Sequence, residues 1–181
     1  MRKLIAATGP LLLTKDKNVF LFLCRSVISQ QLSTKVARMI EERFLSLLKA
    51  GKLPIDVLAI PVTDLRTIGL SVTKASYLHN IARYFEDLGL QNKTFAGMED
   101  EAVIELLTQI KGVGRWTAEM TLMFSLGRED IFSVDDYGIR QGMIAVYGLD
   151  PSDNRNLKEN MRRISRRWSP YRSYACLHLW K

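Results

Sequence analysis

Residues 107–118 read Leu-Thr-Gln-Ile-Lys-Gly-Val-Gly-Arg-Trp-Thr-Ala, and this stretch decides the fold. Apolar residues recur at helical spacing on both sides of it, which predicts two helices. They are Val103, Ile104, Leu107 and Ile110 before the glycines and Ala118, Leu122 and Leu126 after them. Gly112 and Gly114 suit a turn that needs a positive φ or a close backbone approach. The glycines alone would also fit an ordinary helix-turn-helix pair.

The start of the second helix has a chemical consequence. Gly114 lies where that helix begins, and the first amides of a helix have no intrahelical acceptor. Such amides, together with the positive end of the helix dipole, bind phosphate groups. The stretch therefore predicts a hairpin of helices that can contact a phosphate.

A pair of carboxylates, Asp135 and Asp136, follows the hairpin and precedes a helical pattern that contains Ile139 and Met143. In one interpretation Ser133 caps that helix and Asp136 completes a capping box. In the other, the helix N-terminus keeps a carboxylate ionised, so that it can stabilise positive charge that develops in a reaction. Capping and catalysis do not exclude one another.

Helical periodicity also dominates the rest of the chain, and no alternating apolar pattern competes with it. The sequence predicts an all-α fold with a buried helix over residues 20–29 and an amphipathic one over residues 34–48. A turn at residues 68–71 precedes a helix over 73–88, and Pro170 separates a last pair. The apolar face of the 34–48 helix is expected to carry Val36, Ile40, Phe44 and Leu47.

Composition restricts the class of protein. A chain of 181 residues with 47% hydrophobic content predicts a single domain or two small lobes, and we expect a monomer. Twenty-six basic residues against 19 acidic ones give a net charge of +7, which suits a polyanionic partner. Cys24 and Cys176 are too few to hold an iron-sulfur cluster through four thiolates and are expected to be buried.

The apolar runs, such as residues 20–24, are too short to span a bilayer, so no membrane partner is expected. Residues 1–13 lack a convincing signal cleavage site. These features predict an intracellular protein, located in the cytoplasm or nucleoid of a prokaryote or in the nucleus of a eukaryote.

Four separated motifs resemble the helix-hairpin-helix DNA glycosylase superfamily, in its 3-methyladenine (alkylated-base) branch. They are Ser-Gln-Gln-Leu-Ser at 29–33, Gly-Arg-Trp-Thr-Ala at 114–118, Asp-Asp-Tyr at 135–137 and Trp-Ser-Pro-Tyr-Arg-Ser-Tyr-Ala at 168–175. They follow the order of the family across almost the whole chain. The resemblance implies a two-lobed helical bundle with a DNA-binding cleft, one lobe over about 34–115 and the other from the N-terminal segment plus about 116–181.

The resemblance also implies catalytic and base-pocket residues. It assigns catalysis to Asp136, with Asp135 as the alternative, and places Trp116, Tyr137 and Trp180 in the base pocket. Family members that also cut the DNA backbone carry a lysine at the place of Trp116, and an indole cannot form their Schiff base. A monofunctional enzyme is therefore expected, although a tryptophan packed in the core would also fit position 116.

For DNA binding, the resemblance places Gln31 as the wedge that fills the gap left by a flipped base; a polar helix terminus is the alternative. Phosphate anchors are expected at Gly112, Gly114 and Thr117. The carbonyls of Thr108, Ile110 and Val113 match positions that hold a monovalent ion, Na⁺ or K⁺, when DNA is bound. No other cofactor is expected.

The expected function is hydrolytic release of alkylated purines, of the 3-methyladenine and 7-methylguanine type, from double-stranded DNA by base flipping in base excision repair. A glycosylase of the same fold for deaminated or oxidised bases and a non-catalytic DNA-binding module remain as alternatives. Met120 and Gly138 lie where relatives carry bulkier pocket residues, which leaves the lesion range open. The basic helix near residues 154–168 fits either a solvated face or a phosphate-contacting surface.

Overall fold

The computed structural model describes residues 1–16, 18–48, 51 and 53–181, and all regular structure in these ranges is helical, which confirms the all-α prediction. The α-helices are α1 (Arg2–Thr8), α2 (Val19–Ser29), α3 (Thr34–Leu47), α4 (Pro54–Leu58), α5 (Val62–Thr67), α6 (Val72–Asp87), α7 (Asp100–Thr108), α8 (Arg115–Phe124), α9 (Tyr137–Tyr147), α10 (Asn154–Ser165) and α11 (Arg172–Leu179). Short 3₁₀ helices cover Asn92–Phe95 and Arg166–Trp168. Among the described helices, none is long and apolar enough to cross a membrane.

The chain forms two compact units. One comprises Asp16–Thr121, and the other comprises Met1–Lys15 with Leu122–Lys181. The sequence places the start of the first lobe near residue 34, whereas the unit begins at residue 16. The reason is that α2 packs against α3 and α6 and so joins this unit.

The 16–121 unit is built around α2 and α6. Asn18 caps α2 by accepting a hydrogen bond from the Leu21 amide (3.0 Å). Leu23 and Val27 are fully buried, and α6 contributes the equally buried Leu78 and Ile81. Burial also encloses Cys24 and raises the pKa of its thiol, so it packs as a small hydrophobe, as predicted.

The apolar face of α3 differs from the prediction. Ala37, Ile40 and Phe44 are buried, but Val36 and Leu47 are exposed. The buried residues lie three and four positions apart on one narrow stripe, and the two exposed residues lie beyond its edge. The prediction was wrong for Val36 and Leu47 because it drew the stripe too wide.

The hairpin between α7 and α8 uses its two glycines differently. Gly112 has a φ of 107°, and a β-carbon there would lie 2.6 Å from Cδ2 of Tyr77. Gly114 does not have a positive φ, and a β-carbon there would lie more than 4 Å from every described residue other than its chain neighbours. Of these two glycines, only Gly112 needs to be glycine for the fold; a positive φ at Gly114 was wrong, and a close approach of a phosphate to its backbone stays a prediction.

In the second unit, α11 packs against α9 and α1. His178 of α11 is buried and its Nδ1 lies 2.5 Å from Oγ1 of Thr8. Desolvation lowers the pKa of His178, so the ring packs in its neutral form. Asp130 and Arg172 form an ion pair (2.7 Å) at the first residue of α11. These contacts fix α11 at both ends.

Replacement of Gly112 by alanine tests the hairpin. Gly112→Ala should lower the free energy of unfolding by about 2–4 kcal/mol, because it combines a left-handed backbone with a clash against Tyr77. Gly114→Ala is the matched control and should change stability by less than about 0.5 kcal/mol. Urea denaturation measures both values. An equal loss of stability in the two variants would contradict this difference between the glycines.

Candidate active site

Asp136 lies at the N-terminus of α9 and is only 7% exposed. Its Oδ1 accepts a hydrogen bond from the Ile139 amide (2.8 Å) and another from Nε1 of Trp180 (2.8 Å). Asp136 is thus itself the cap, and the prediction of Ser133 as the cap was wrong. The helix begins at Tyr137, and Ser133 belongs to the preceding turn, where its carbonyl accepts the Asp136 amide (3.3 Å).

This environment orients the Asp136 carboxylate. Two N–H donors converge on one carboxylate oxygen, and hydrogen bonds to charged acceptors are stronger than those between neutral groups. The positive end of the α9 dipole adds to them. The carboxylate is held in one orientation beside the exposed Tyr137.

The neighbouring Asp135 has a different environment. Its side chain is 51% exposed and its Oδ1 forms an ion pair with Nζ of Lys158 at 2.5 Å. A lysine therefore neutralises one carboxylate, while helix and indole N–H groups orient the other. This contrast supports Asp136 over Asp135 as the catalytic carboxylate.

Close packing places Trp180 on Asp136. A β-carbon at Gly138 would lie 2.6 Å from Cδ1 of Trp180, and one at Gly142 would lie 2.6 Å from the Leu179 carbonyl oxygen. The Phe124 ring lies 5.8 Å from the Trp180 ring, between centroids. Sequence reasoning missed the roles of Phe124 and Gly142. The four-residue spacing of the two glycines on α9 was the available signal.

The predicted pocket residues divide between the two units. Asp136, Tyr137 and Trp180 come together at the start of α9, and Tyr137 is 75% exposed. Trp116 belongs to the first turn of α8 and is 43% exposed. The alternative of a tryptophan packed in the core is therefore wrong.

Beside Trp116, Arg115 braces the hairpin helices. Its Nη1 and Nη2 donate to the two carboxylate oxygens of Glu101 on α7 (2.6 and 2.9 Å), and its Nε donates to Glu119 (3.1 Å). The hydrogen bond from Arg115 lowers the pKa of Glu101. The brace fixes the start of α8, on which Trp116 and the helix amides lie.

The predicted wedge, Gln31, is exposed and has a φ of 57°, which is uncommon for a residue other than glycine. Its neighbour Gln30 donates through Nε2 to the Gly112 carbonyl (3.5 Å). Lys74 donates through Nζ to the carbonyls of Ile28 (2.9 Å) and Gln30 (2.6 Å). Lys74, which the sequence did not single out, thus ties the Gln31 turn to α6, and Gln30 ties it to the hairpin.

The remaining predicted DNA and ion contacts lie in or beside the hairpin. Thr117 is 3% exposed, which argues against a phosphate contact through its side chain. Ile110 and Val113 are buried, and the Ile110 carbonyl accepts the Val113 amide (2.9 Å). Thr108 ends α7, where carbonyl oxygens lack intrahelical donors and are suitable ligands for a monovalent cation. The ion itself stays a prediction.

Comparisons with known proteins identify the family. Residues 24–170 match the family described as HhH-GPD superfamily base excision DNA repair protein. The chain belongs to this superfamily. DNA-3-methyladenine glycosylase 1 of Schizosaccharomyces pombe is 35% identical over 99% of this chain and 78% of its own length. The chain spans 62% of the length of a Bacillus subtilis relative that is 31% identical over 97% of this chain.

Two solved structures are similar over 99% of the chain. The crystal structure of a DNA-3-methyladenine glycosidase from Bacillus halodurans has a TM-score of 0.86 and 37% identity, with 82% of that chain covered. The Schizosaccharomyces pombe 3-methyladenine DNA glycosylase in complex with abasic DNA has a TM-score of 0.85 and 33% identity, with 89% covered. The helical fold is therefore that of this superfamily.

Trp180→Phe tests the indole hydrogen bond. The ring is kept but the donor to Asp136 is lost, and because a hydrogen bond to a charged group contributes about 1.5–3 kcal/mol, base release should slow at least about tenfold. The rate is measured with enzyme in excess over a duplex that carries an alkylated purine. Tyr174→Phe on the same helix is the control, since it removes a hydrogen bond to Glu129 and should leave the rate unchanged. Equal rates for Trp180→Phe and the unmodified protein would contradict the positioning role.

Proposed function

We propose that this chain is a monofunctional DNA glycosylase that hydrolyses the N-glycosidic bond of alkylated purines in double-stranded DNA and so initiates base excision repair. The observation that carries the proposal is the buried carboxylate of Asp136, oriented by the Ile139 amide and the Trp180 indole in a chain of this superfamily. The names of the Schizosaccharomyces pombe and Bacillus halodurans relatives support the alkylated-base substrate.

In the proposed reaction the bond between C1′ and the purine nitrogen breaks, and its electron pair neutralises the positive charge of the alkylated base. Positive charge develops at C1′, where the Asp136 carboxylate stabilises it. Water then adds to C1′, and Asp136 orients it and accepts its proton. Because Asp136 is held before the substrate arrives, little reorganisation is needed as the charge forms.

Aromatic side chains would select the cationic base. Trp116 and Tyr137 expose 43% and 75% of their surfaces, so each can stack on a base. A cation over such a ring gains about 0.5–2 kcal/mol, and a neutral purine lacks this attraction. Because the positive charge also weakens the glycosidic bond, an alkylated purine needs less further activation than a deaminated or oxidised one.

The lyase reaction of some family members needs an amine at the place of position 116. Trp116 stands at the place of their lysine, and Arg115 is bonded to Glu101 and stays protonated. Lys111 lies in the turn, where Asn80 donates to its carbonyl (3.2 Å). An abasic site in an intact strand is the expected product.

We further propose that Gly112, Gly114 and the first amides of α8 contact phosphates without sequence preference, and that Gln31 fills the space of the flipped base. Apart from the chain neighbours of Gly114, no described residue lies within 4 Å of a β-carbon there, so the backbone is open to a phosphate. A Na⁺ or K⁺ ion held by the carbonyls of Thr108, Ile110 and Val113 would add a positive charge for a phosphate oxygen. Because the proposed function is DNA repair, we place the protein inside the cell.

Asp136→Asn should lower base release by orders of magnitude while leaving DNA affinity similar or higher, because the carboxylate acts on charge that forms only in the transition state. Asp135→Asn is the matched control and should have a much smaller effect. Both are measured as base released from duplexes that each carry one lesion, with 3-methyladenine or 7-methylguanine expected to be the best substrate. A full loss in Asp135→Asn with activity kept in Asp136→Asn would move the catalytic role by one residue.

The protein should release the base and leave the strand intact until alkali or another enzyme cuts it. Borohydride should trap no covalent adduct, because trapping requires a Schiff base from an amine. Denaturing gels before and after alkali measure the first result, and a shift of the protein band measures the second. Efficient trapping would overturn the monofunctional assignment, and Lys111→Gln would then identify or exclude the first candidate amine.

A further inference from the structure

Helix α10 carries an exposed set of basic residues. Leu157 and Met161 are buried and attach the helix to its unit. The exposed basic residues of α10 and the 3₁₀ turn after it are Arg155, Arg162, Arg163, Arg166 and Arg167. The helix carries one acidic residue, Glu159. Its outer face is therefore strongly cationic.

These arginines differ from Arg115 and Arg172 in the groups that they contact. Arg115 and Arg172 are paired with carboxylates, whereas in the described part of the chain no carboxylate lies within 4.0 Å of the five arginines. Arg163 instead donates to the Asn160 amide oxygen (3.1 Å). Unpaired guanidinium groups attract a polyanion without first breaking an ion pair.

Helical spacing divides these basic residues into two lines that run along the helix. Arg155, Lys158, Arg162 and Arg166 are three or four residues apart, so they form one continuous line, which we call the cationic ridge. Arg163 and Arg167 follow the neighbouring line. Both lines carry arginines of α10 and of the 3₁₀ turn after it, and the ridge also carries Lys158.

The ridge passes beside the candidate catalytic carboxylate. Lys158, in the middle of the ridge, forms the ion pair with Asp135, the residue before Asp136. Asp135 would otherwise repel phosphates at this place, and Lys158 neutralises it. At 1.5 Å per residue the ridge is about 17 Å long, which corresponds to about five phosphates of one strand at 3.4 Å each.

We propose that the cationic ridge is a second phosphate-binding surface, which contacts the backbone of the strand next to the nucleotide whose sugar is attacked at Asp136. The proposal rests on the proposed function for its choice of duplex DNA as the partner. Arginine suits this role because its planar guanidinium matches the oxygens of a phosphate. The contacts are independent of base sequence.

The test compares Arg155→Gln/Arg162→Gln, on the ridge, with Arg163→Gln/Arg167→Gln, on the neighbouring line. Binding of an undamaged duplex is measured by fluorescence anisotropy between about 50 and 300 mM KCl, a range in which counterion release dominates the salt dependence. The ridge variant should bind roughly tenfold more weakly per lost contact at 0.1 M salt, with a slope of log K against log salt shallower by about 0.9 per contact. The control variant should keep the slope of the unmodified protein.

Both variants lose the same charge, so equal losses would mean that net charge alone acts and would overturn the proposal. Unchanged binding by the ridge variant, or a loss confined to the control, would also overturn it. Thermal unfolding of both variants verifies that these surface changes leave the fold intact. Because the duplex is undamaged, the outcome does not depend on base release. Failure of this proposal can therefore be distinguished from failure of the proposed glycosylase activity.

Discussion

The hydrogen bond from the Trp180 indole to Asp136 is the contact on which the geometry of the candidate site depends. It joins the end of α11 to the start of α9, two elements that the chain separates by 44 residues. For the indole to reach the carboxylate, α11 must lie against the backbone of α9, and Gly138 and Gly142 make this possible. The candidate catalytic carboxylate and the packing of two helices are therefore one structural feature.

This arrangement also explains why a carboxylate is retained in a nearly buried position. A charged group loses solvation when it is buried, and the loss must be offset by hydrogen bonds and favourable dipoles. The Ile139 amide, the Trp180 indole and the N-terminus of α9 supply them at Asp136. Asp135 remains in water and is paired with Lys158 instead. Two adjacent residues of the same type thus acquire different chemistry from the position of one helix end.

The sequence predicted the helices well where an apolar period continued over several turns, as in α2, α3 and α6, because burial of one face imposes that period. It was less accurate for details that depend on where a helix begins. Ser133 and Asp136 are both good caps, and only the tertiary contact with Trp180 distinguishes them. Val36 and Leu47 fit the apolar period of α3 and are exposed, because their burial depends on what packs against the helix.

The sequence identified candidate site residues through the hairpin glycines and the Asp-Asp-Tyr segment and, by the family resemblance, also Trp116, Trp180 and Gln31. The residues that it missed act over long distances in the chain. Lys74 holds the turn of Gln31 from α6, and Phe124 packs on Trp180. A lysine or phenylalanine on a helix has no local pattern that reveals such a partner. Only their positions in the folded chain distinguish Lys74 from a solvated lysine and Phe124 from an ordinary core phenylalanine.

The same reasoning separates the two glycines of the hairpin. A position requires glycine for one of two reasons. Either the surrounding chain leaves no space for a side chain, or a ligand outside the chain occupies the space that a side chain would fill. At Gly112 the Tyr77 ring and the left-handed backbone give the first reason. At Gly114 neither applies, and the space beside it is open at the start of a helix. Since a helix N-terminus attracts anions, this open backbone supports the phosphate contact proposed for Gly114.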